Sequence, residues 1–430
     1  MSVYQRGGRY WIYYRQGRPI RRPVGPHRDE ALSLAARING QLAEGAPSVL
    51  EFRPIDLQKL VDAWLSHHED VRRSSLATVR RYRTAIQHLA SFVASNHGTI
   101  RADRFSSAMA EDFVRHLRTT KVSPNGHANA RKRTIRDKGI VFILGTCRAL
   151  FSFAREQRHL PAYAANPFSK LGIERMPIED AKPIRPLTPD QELKFFKACD
   201  DWQFRVFFVL AFTGLRVGEL AHLLIDDDLR LDDAVIRITN KPQLFWQVKT
   251  RNLREVPLLP EVLQVLRACC KGRSSGPVFL RRRFAGGVTL PLLAGRTMVE
   301  LEQEVAMRIQ AAQDGHETPL TRLETARIGR SVWRDAGAVK ETTIRNEFMR
   351  VTKRMGFEHL TCPKDLRHLF ATSLQAAGVD PMVRRDVMGH TTLEMTSHYT
   401  HTQSGTRHRE VARLADVRGD VLRLAQDRSC

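Results

Sequence analysis

The chain has 430 residues, 42% of them apolar, with 69 Lys and Arg against 46 Asp and Glu, a formal net charge of +23. That length allows two or three folded domains, and the apolar share excludes a mainly disordered chain, because burial on this scale offsets ordering entropy. So large a positive excess repels itself in a compact state and points to a polyanionic partner.

Apolar runs such as residues 206–212 fall far short of the roughly 18–20 residues that span a bilayer, and Met1 to Arg6 begin no secretory apolar segment. A soluble, cytoplasmic protein is expected, with no membrane partner. Cys147, Cys199, Cys269, Cys270, Cys362 and Cys430 form no Cys-x-x-Cys pair, so neither a zinc knuckle nor a disulfide framework is indicated. No phosphate-binding Gly-x-x-x-x-Gly-Lys-Ser/Thr loop and no His-Glu-x-x-His helix occurs. No metal, ATP or other cofactor is implied.

The first 28 residues hold seven arginines and no acid, interleaved with Tyr4, Tyr10, Trp11, Tyr13 and Tyr14. Residues 10–14 read as a strand, Gln16-Gly17 as a turn and 20–24 as a returning strand. Ala31, Leu34, Ala35, Ile38 and Leu42 recur at helical spacing. A small sheet backed by one helix over 1–50 follows, with Arg6, Arg9, Arg15, Arg18, Arg21 and Arg22 as candidate nucleic-acid contacts.

After the Gly45-Ala46-Pro47-Ser48 break, helical patterns dominate. Leu57, Leu60, Val61, Trp64 and Leu65 form one apolar stripe; Val79, Tyr82, Ile86, Leu89 and Val93 form a second, with Arg80, Arg81 and Arg83 away from it. Arg131, Lys132, Arg133, Arg136 and Lys138 precede a third, over 140–153. The expectation is an all-α bundle over 55–170 whose basic flanks contact phosphates.

Residues 166–186 are proline-punctuated and read as a linker. Thr188, Pro189 and Gln191 then predict a capped helix to about Ala198. Beyond it come a buried helix ending at Gly214, a strand at 235–238, and a hairpin-like pair at 246–249 and 255–258. The rest reads as helical apart from a variable stretch near 282–338, which gives an α+β domain with a small antiparallel sheet.

Four segments of this last domain carry chemistry-bearing residues. They are Thr213-Gly214-Leu215-Arg216-Val217-Gly218-Glu219-Leu220; Val248-Lys249-Thr250 with Arg254-Glu255-Val256-Pro257-Leu258; Lys364-Asp365-Leu366-Arg367-His368; and Met388-Gly389-His390, with Tyr399 nine residues after His390. In this order they resemble the tyrosine site-specific recombinases, the phage integrase family. The resemblance spans the catalytic region, about 187–415, and residues 55–170 match in kind the family's basic, all-α (SAM-like) core-binding bundle. It implies a multidomain fold, with 1–50 as an arm-type DNA-binding domain. A C-terminal tail over 416–430 either docks on a neighbouring protomer or packs on its own domain.

The residue types suit that chemistry. Breaking a DNA phosphodiester without metal needs cations for the non-bridging oxygens, a nucleophile, and an acid for the departing oxygen. Arginine stays charged and binds phosphate oxygens bidentately, which makes Arg216 and Arg367 candidates, with Glu219 orienting the site. By resemblance Tyr399 is the nucleophile that forms a 3′-phosphotyrosyl bond, His390 bonds the phosphate, and Lys249 protonates the leaving 5′-oxygen. Tyr399 is also the one tyrosine beyond residue 163.

Two departures stand out. Lys364 occupies the place of the family's usual histidine, so its role shifts from base to electrostatic clamp; His368 beside Arg367 reads as a structural neighbour. The 115 positions from Lys249 to Lys364 exceed the family's usual gap, and the excess near 282–338 includes a helical stripe at Met298, Leu301, Val305 and Ile309.

The leading expectation is a recombinase that integrates or excises a mobile element. Alternatives are a non-catalytic DNA-bridging protein on the same fold, a chromosomal-type recombinase, and a type IB topoisomerase-like enzyme. A metal-dependent transposase would need clustered carboxylates. The implied partners are double-stranded DNA at attachment sites, three further copies of the chain in a tetramer on synapsed DNA, and, for some members, an excisionase and a DNA-bending protein.

Overall fold

The computed structural model of the chain describes residues 1–16, 18–43, 52–123, 129–161, 164–180, 187–249, 253–357, 360, 362–389 and 404–428. Its two compact units are Met1–Lys182 and Pro183–Cys430.

The first unit begins with an antiparallel sheet of β1 (Ser2–Arg6), β2 (Arg9–Gln16) and β3 (Arg18–Gly25), backed by α1 (Arg28–Ala43). The period of two decides the faces. Ile12, Tyr14 and Val24 are buried with Ala31, Ala35 and Ile38 of α1. The sequence pattern missed β1, because this edge strand holds one aliphatic residue, Val3, whose register partner is Ile12.

Four helices follow: α2 (Leu57–Ser66), α3 (Leu76–His97), α4 (Ser107–Thr119) and α5 (Asp137–Glu156), with a short ladder of β4 (Lys121–Val122) and β5 (Arg133–Thr134) before α5. Their core holds the predicted stripes, Leu60, Trp64, Val79, Ile86, Leu89 and Val93 among them. The expected linker from residue 166 is different: its first part folds back on the bundle. Phe168 and Ile173 are buried in the bundle core, and the Asn166 amide donates to the Arg148 carbonyl at 2.8 Å.

In the second unit α6 (Pro189–Lys197) starts from the predicted Thr188–Gln191 capping box. The helix α7 (Asp201–Thr213) is apolar nearly all round and runs through the core, ending at Gly214 with φ 62°. Next come α8 (Val217–Ala221), α9 (Ile225–Asp228) and a sheet of β6 (Leu229–Arg230), β7 (Val235–Ile238) and β8 (Arg254–Pro257) in antiparallel order. The expected hairpin is corrected here: β8 pairs with β7, and residues 246–249 are loop. Lys241 holds them off the sheet. It is 1% exposed, and its ammonium donates to Asp228 at 2.7 Å and Thr239 at 2.9 Å, closing a turn with Trp246.

After α10 (Pro260–Cys270) and α11 (Arg282–Ala285), the stretch expected to be variable is a helix pair, α12 (Met298–Asp314) and α13 (Arg322–Asp335). Then come α14 (Glu341–Arg354), α15 (Lys364–Ala376), α16 (Pro381–Met388), α17 (Ser404–Ala412) and α18 (Leu414–Asp427). The expected tail forms most of α18, which lies against its own unit. Leu414, Val421, Leu422 and Ala425 enter the core, and buried Arg418 pairs with Glu192 over the Phe212 ring.

Candidate active site

The turn after α7 builds the first part of the site. Gly214 reverses the chain and Arg216 becomes the N-cap of α8, so Glu219 falls at the third helical position and closes a capping box. One Glu219 oxygen accepts from the Arg216 backbone N–H at 2.9 Å, the other from its guanidinium at 2.7 Å. From β8, Arg254 grips the same carboxylate with both Nη atoms, at 2.6 and 3.1 Å, and donates from Nε to the Val387 carbonyl at 3.0 Å. Glu219 is 2% exposed. Burial pushes its pKa up, but the hydrogen bonds and charge of Arg254, and then those of Arg216, outweigh it and hold the carboxyl below its ordinary value.

Arg367 comes from the first turns of α15 and is 6% exposed. Its two Nη atoms donate to the carbonyls of Gly214 and Met388. Burial first, then the neighbouring Arg216, lowers its pKa to about 10, so it remains charged at neutral pH. Asp380 caps α16 through Met382 N and Val383 N, and Gly389 ends it at φ 62°. The Gly389 carbonyl accepts from Arg216 at 3.3 Å, and a Cβ there would lie 2.9 Å from Arg254 Cδ. The end of α7, β8, α15 and the end of α16 therefore meet at three guanidiniums around one carboxylate.

Of the residues expected from sequence, the structure brings together Arg216, Glu219 and Arg367. His390 and Tyr399 lie outside the described residues. Lys364 is exposed at the start of α15, one turn ahead of Arg367. His368 is half-buried, and burial followed by Lys364 lowers its pKa. Lys249 is exposed in a turn right after buried Val248, not on the strand edge expected for it. Arg254 is a residue that the sequence does not single out as a site candidate. The signal for it is a charged residue sharing the inward, buried face of a strand with Val256.

The basic candidates of the first unit are on its surface. Arg6, Arg9, Arg15 and Arg21 are exposed on the sheet face opposite α1, which also carries Tyr4, Trp11 and Tyr13; Arg21 lies over the Tyr13 ring at 5.4 Å. Arg22 is exposed but in register with Ile12, toward the helix side. The side chain of Arg18 lies outside the described residues. Arg80, Arg81, Arg83, Arg131, Lys132 and Arg133 are exposed, with Arg81 stacked over Phe142 at 4.2 Å.

The phage integrase family model matches residues 185–405, just over half of the chain. The chain belongs to this family. It is a tyrosine recombinase, an enzyme that cleaves and rejoins DNA. A relative, the tyrosine recombinase XerD of Corynebacterium glutamicum, is 24% identical over 366 residues, which span 84% of this chain and 98% of that one. A crystal structure of a lambda integrase dimer bound to a COC′ core site aligns at 16% identity over 95% of both chains, with a TM-score of 0.50, a likeness of fold. The Tn1549 transposon integrase in complex with transposon right end DNA aligns at 19% identity over 84% of this chain and 100% of that one, with a TM-score of 0.48. Among the described residues no helix is long and apolar enough to cross a membrane.

Proposed function

We propose that this recombinase integrates or excises a mobile element, cutting each strand through a covalent 3′-phosphotyrosyl intermediate at Tyr399. The observation that carries the chemistry is the cluster of Arg216, Arg254 and Arg367 around buried Glu219, a preorganised cationic cradle for a phosphodiester. In this reading Arg216, Arg367, Lys364 and His390 hold the scissile phosphate. Tyr399 gives its proton to solvent, its oxygen bonds to phosphorus, the P–O5′ bond breaks, and Lys249 gives a proton to the 5′-oxygen. Rejoining is the reverse. The substrate is double-stranded DNA at specific attachment sites, and exchange of strands between two duplexes calls for a tetramer of this chain in the cytoplasm.

The arginine-rich, aromatic sheet of β1–β3 supports the mobile-element reading as a second DNA contact beside the bundle. The XerD relative favours a second reading, a chromosomal-type recombinase. The two separate on substrate: the first requires repeats flanking the encoding element, the second a chromosomal site.

The test starts from duplexes recovered as covalent adducts of the wild-type chain from a randomised DNA pool. Y399F should bind them with near wild-type affinity and form no adduct on a denaturing gel. K249A should be slowed severely on ordinary DNA and rescued where sulfur replaces the 5′-bridging oxygen, because a thiolate leaves without protonation. R216A and R367A should not be rescued. Adduct formation by Y399F removes the nucleophile assignment, and equal K249A defects on both substrates remove the general acid.

A further inference from the structure

The inserted helices α12 and α13 bury no complete core of their own. Leu301 and Val305 of α12 and Val332 and Trp333 of α13 pack against Leu244 and Leu224, which lie outside the insertion. Leu244 belongs to the loop that carries Lys249. Three more contacts fall on that loop. The Trp333 indole N–H donates to the Leu244 carbonyl at 3.1 Å. Trp246 stacks on His222 with centroids 5.1 Å apart, and His222 meets the edge of Trp333 at 4.8 Å. Phe245, at φ 56°, lies so close to Gly329 that a Cβ there would come within 2.7 Å of its ring. A phenylalanine held in left-handed backbone at a turn is strained, and strain persists only where surrounding packing enforces it. At its base the loop is tied by Lys241 to Asp228 and by Val248 N–H to the Asn240 side chain at 2.9 Å. Lys249 follows Val248 directly.

We propose that the inserted helix pair is a brace that fixes the loop presenting Lys249, with Gly329 and Trp333 as positioning residues for protonation of the leaving oxygen. This rests on the assignment of Lys249 as general acid. Gly329 is the sharpest probe. Alanine suits a helix interior better than glycine, so G329A favours α13 while its methyl pushes the Phe245 ring and the loop away. W333F keeps the aromatic packing and removes the donor to Leu244.

The experiment measures adduct formation on the captured duplexes, with oxygen or sulfur at the 5′-bridging position. A displacement of about 1 Å at an acting group costs up to about a hundredfold in rate, so G329A should lose about ten- to a hundredfold on oxygen and return to near wild type on sulfur. W333F should show the same pattern more weakly. Removing the ring in F245A/G329A should recover part of the loss. Amide hydrogen exchange should rise at residues 243–248 in G329A and W333F while α7 and α15 keep wild-type protection, which excludes general unfolding.

If sulfur rescues K249A but G329A and W333F match wild type on oxygen, or are equally impaired on both substrates, the brace is overturned and the general acid stands. If sulfur does not rescue K249A, the general-acid assignment falls and this proposal falls with it.

Discussion

Replacing Arg254 with methionine tests whether the cluster is a buried electrostatic joint. The substitution keeps much of the side chain's length, removes both hydrogen bonds to Glu219 and the one to Val387, and leaves the carboxylate with Arg216 alone. Breaking a buried ion pair by removing one partner costs about 3–5 kcal/mol, and the two bonds Glu219 keeps from Arg216 argue for the lower end, about 3 kcal/mol. For a unit of this size each kcal/mol lowers the melting temperature by about 2–4 °C, so R254M should melt roughly 6–12 °C lower at neutral pH.

The loss should also depend on pH. In the wild type the Glu219 pKa is depressed, so its pairing stabilises the fold above the ordinary glutamate pKa near ~4.3 and is lost as pH falls through the depressed value. Without Arg254 the largest of the effects that hold the carboxyl down is gone, burial weighs more, and the folded pKa rises. The variant's penalty is then full near pH ~7.5 and shrinks as pH falls through the raised value, because a protonated carboxyl is cheaper to bury. Calorimetry of the full chain near pH ~7.5 and ~5, with hydrogen exchange in α7 and α15 to locate the transition, reads both effects. R254K, which keeps charge but loses the fork, should fall between. A melting shift below about 2 °C, or an equal shift at both pH values, would refute the reasoning.

Three further outcomes follow from the same geometry. Gly389→Ala places a methyl 2.9 Å from Arg254 Cδ at φ 62°, and should destabilise the second unit by about 1–3 kcal/mol by calorimetry; an unchanged melt would mean the crossing yields freely. Lys364→Ala should lose most adduct formation, whereas Lys364→His should keep it at low pH and lose it as pH rises past about 6.5, where imidazole loses its charge; a fully active alanine variant would make the position structural. A chain starting at Phe52 should still form the Tyr399 adduct on a short core duplex and show a shallower salt dependence of binding on a long one, while unchanged salt slopes would mean the β1–β3 arginines touch no phosphates.

What was legible in the sequence was local. The Thr188 cap, the stop at Gly214 and the stripe at Leu301 and Val305 are each set by residues three or four positions apart, so spacing alone reveals them. What was not legible is pairing across distance. Residues 246–249 carry strand-like residues, yet the buried Lys241–Asp228 pair, thirteen positions apart, holds them in a loop and leaves β8 to β7. The apolar residues Leu414, Val421 and Leu422 recur at helical spacing, but that they lie against α6 and α10 appears only in the fold. Arg254 lies 35 positions from Glu219 and looks like any strand arginine until the carboxylate is placed beside it.

That carboxylate also explains how so many cations share one buried place. Arg216, Arg254 and Arg367 around Glu219 carry a net charge of +2. Without Glu219 three guanidiniums would repel in a region poor in water; Glu219 pairs with Arg216 and Arg254, and all three guanidiniums are tied to chain carbonyls, at Gly389, Val387, Gly214 and Met388. The cluster is thus the joint between the end of α7, β8, α15 and α16 before any DNA arrives. In the proposed reaction an ionised tyrosine attacking a phosphodiester creates a species of charge −2. A cradle already held at +2 by backbone contacts meets it with little reorganisation, which is where electrostatic catalysis gains most. Fold and chemistry therefore draw on the same bonds, and weakening Arg254 should be felt as a lower melting temperature and a slower cleavage together.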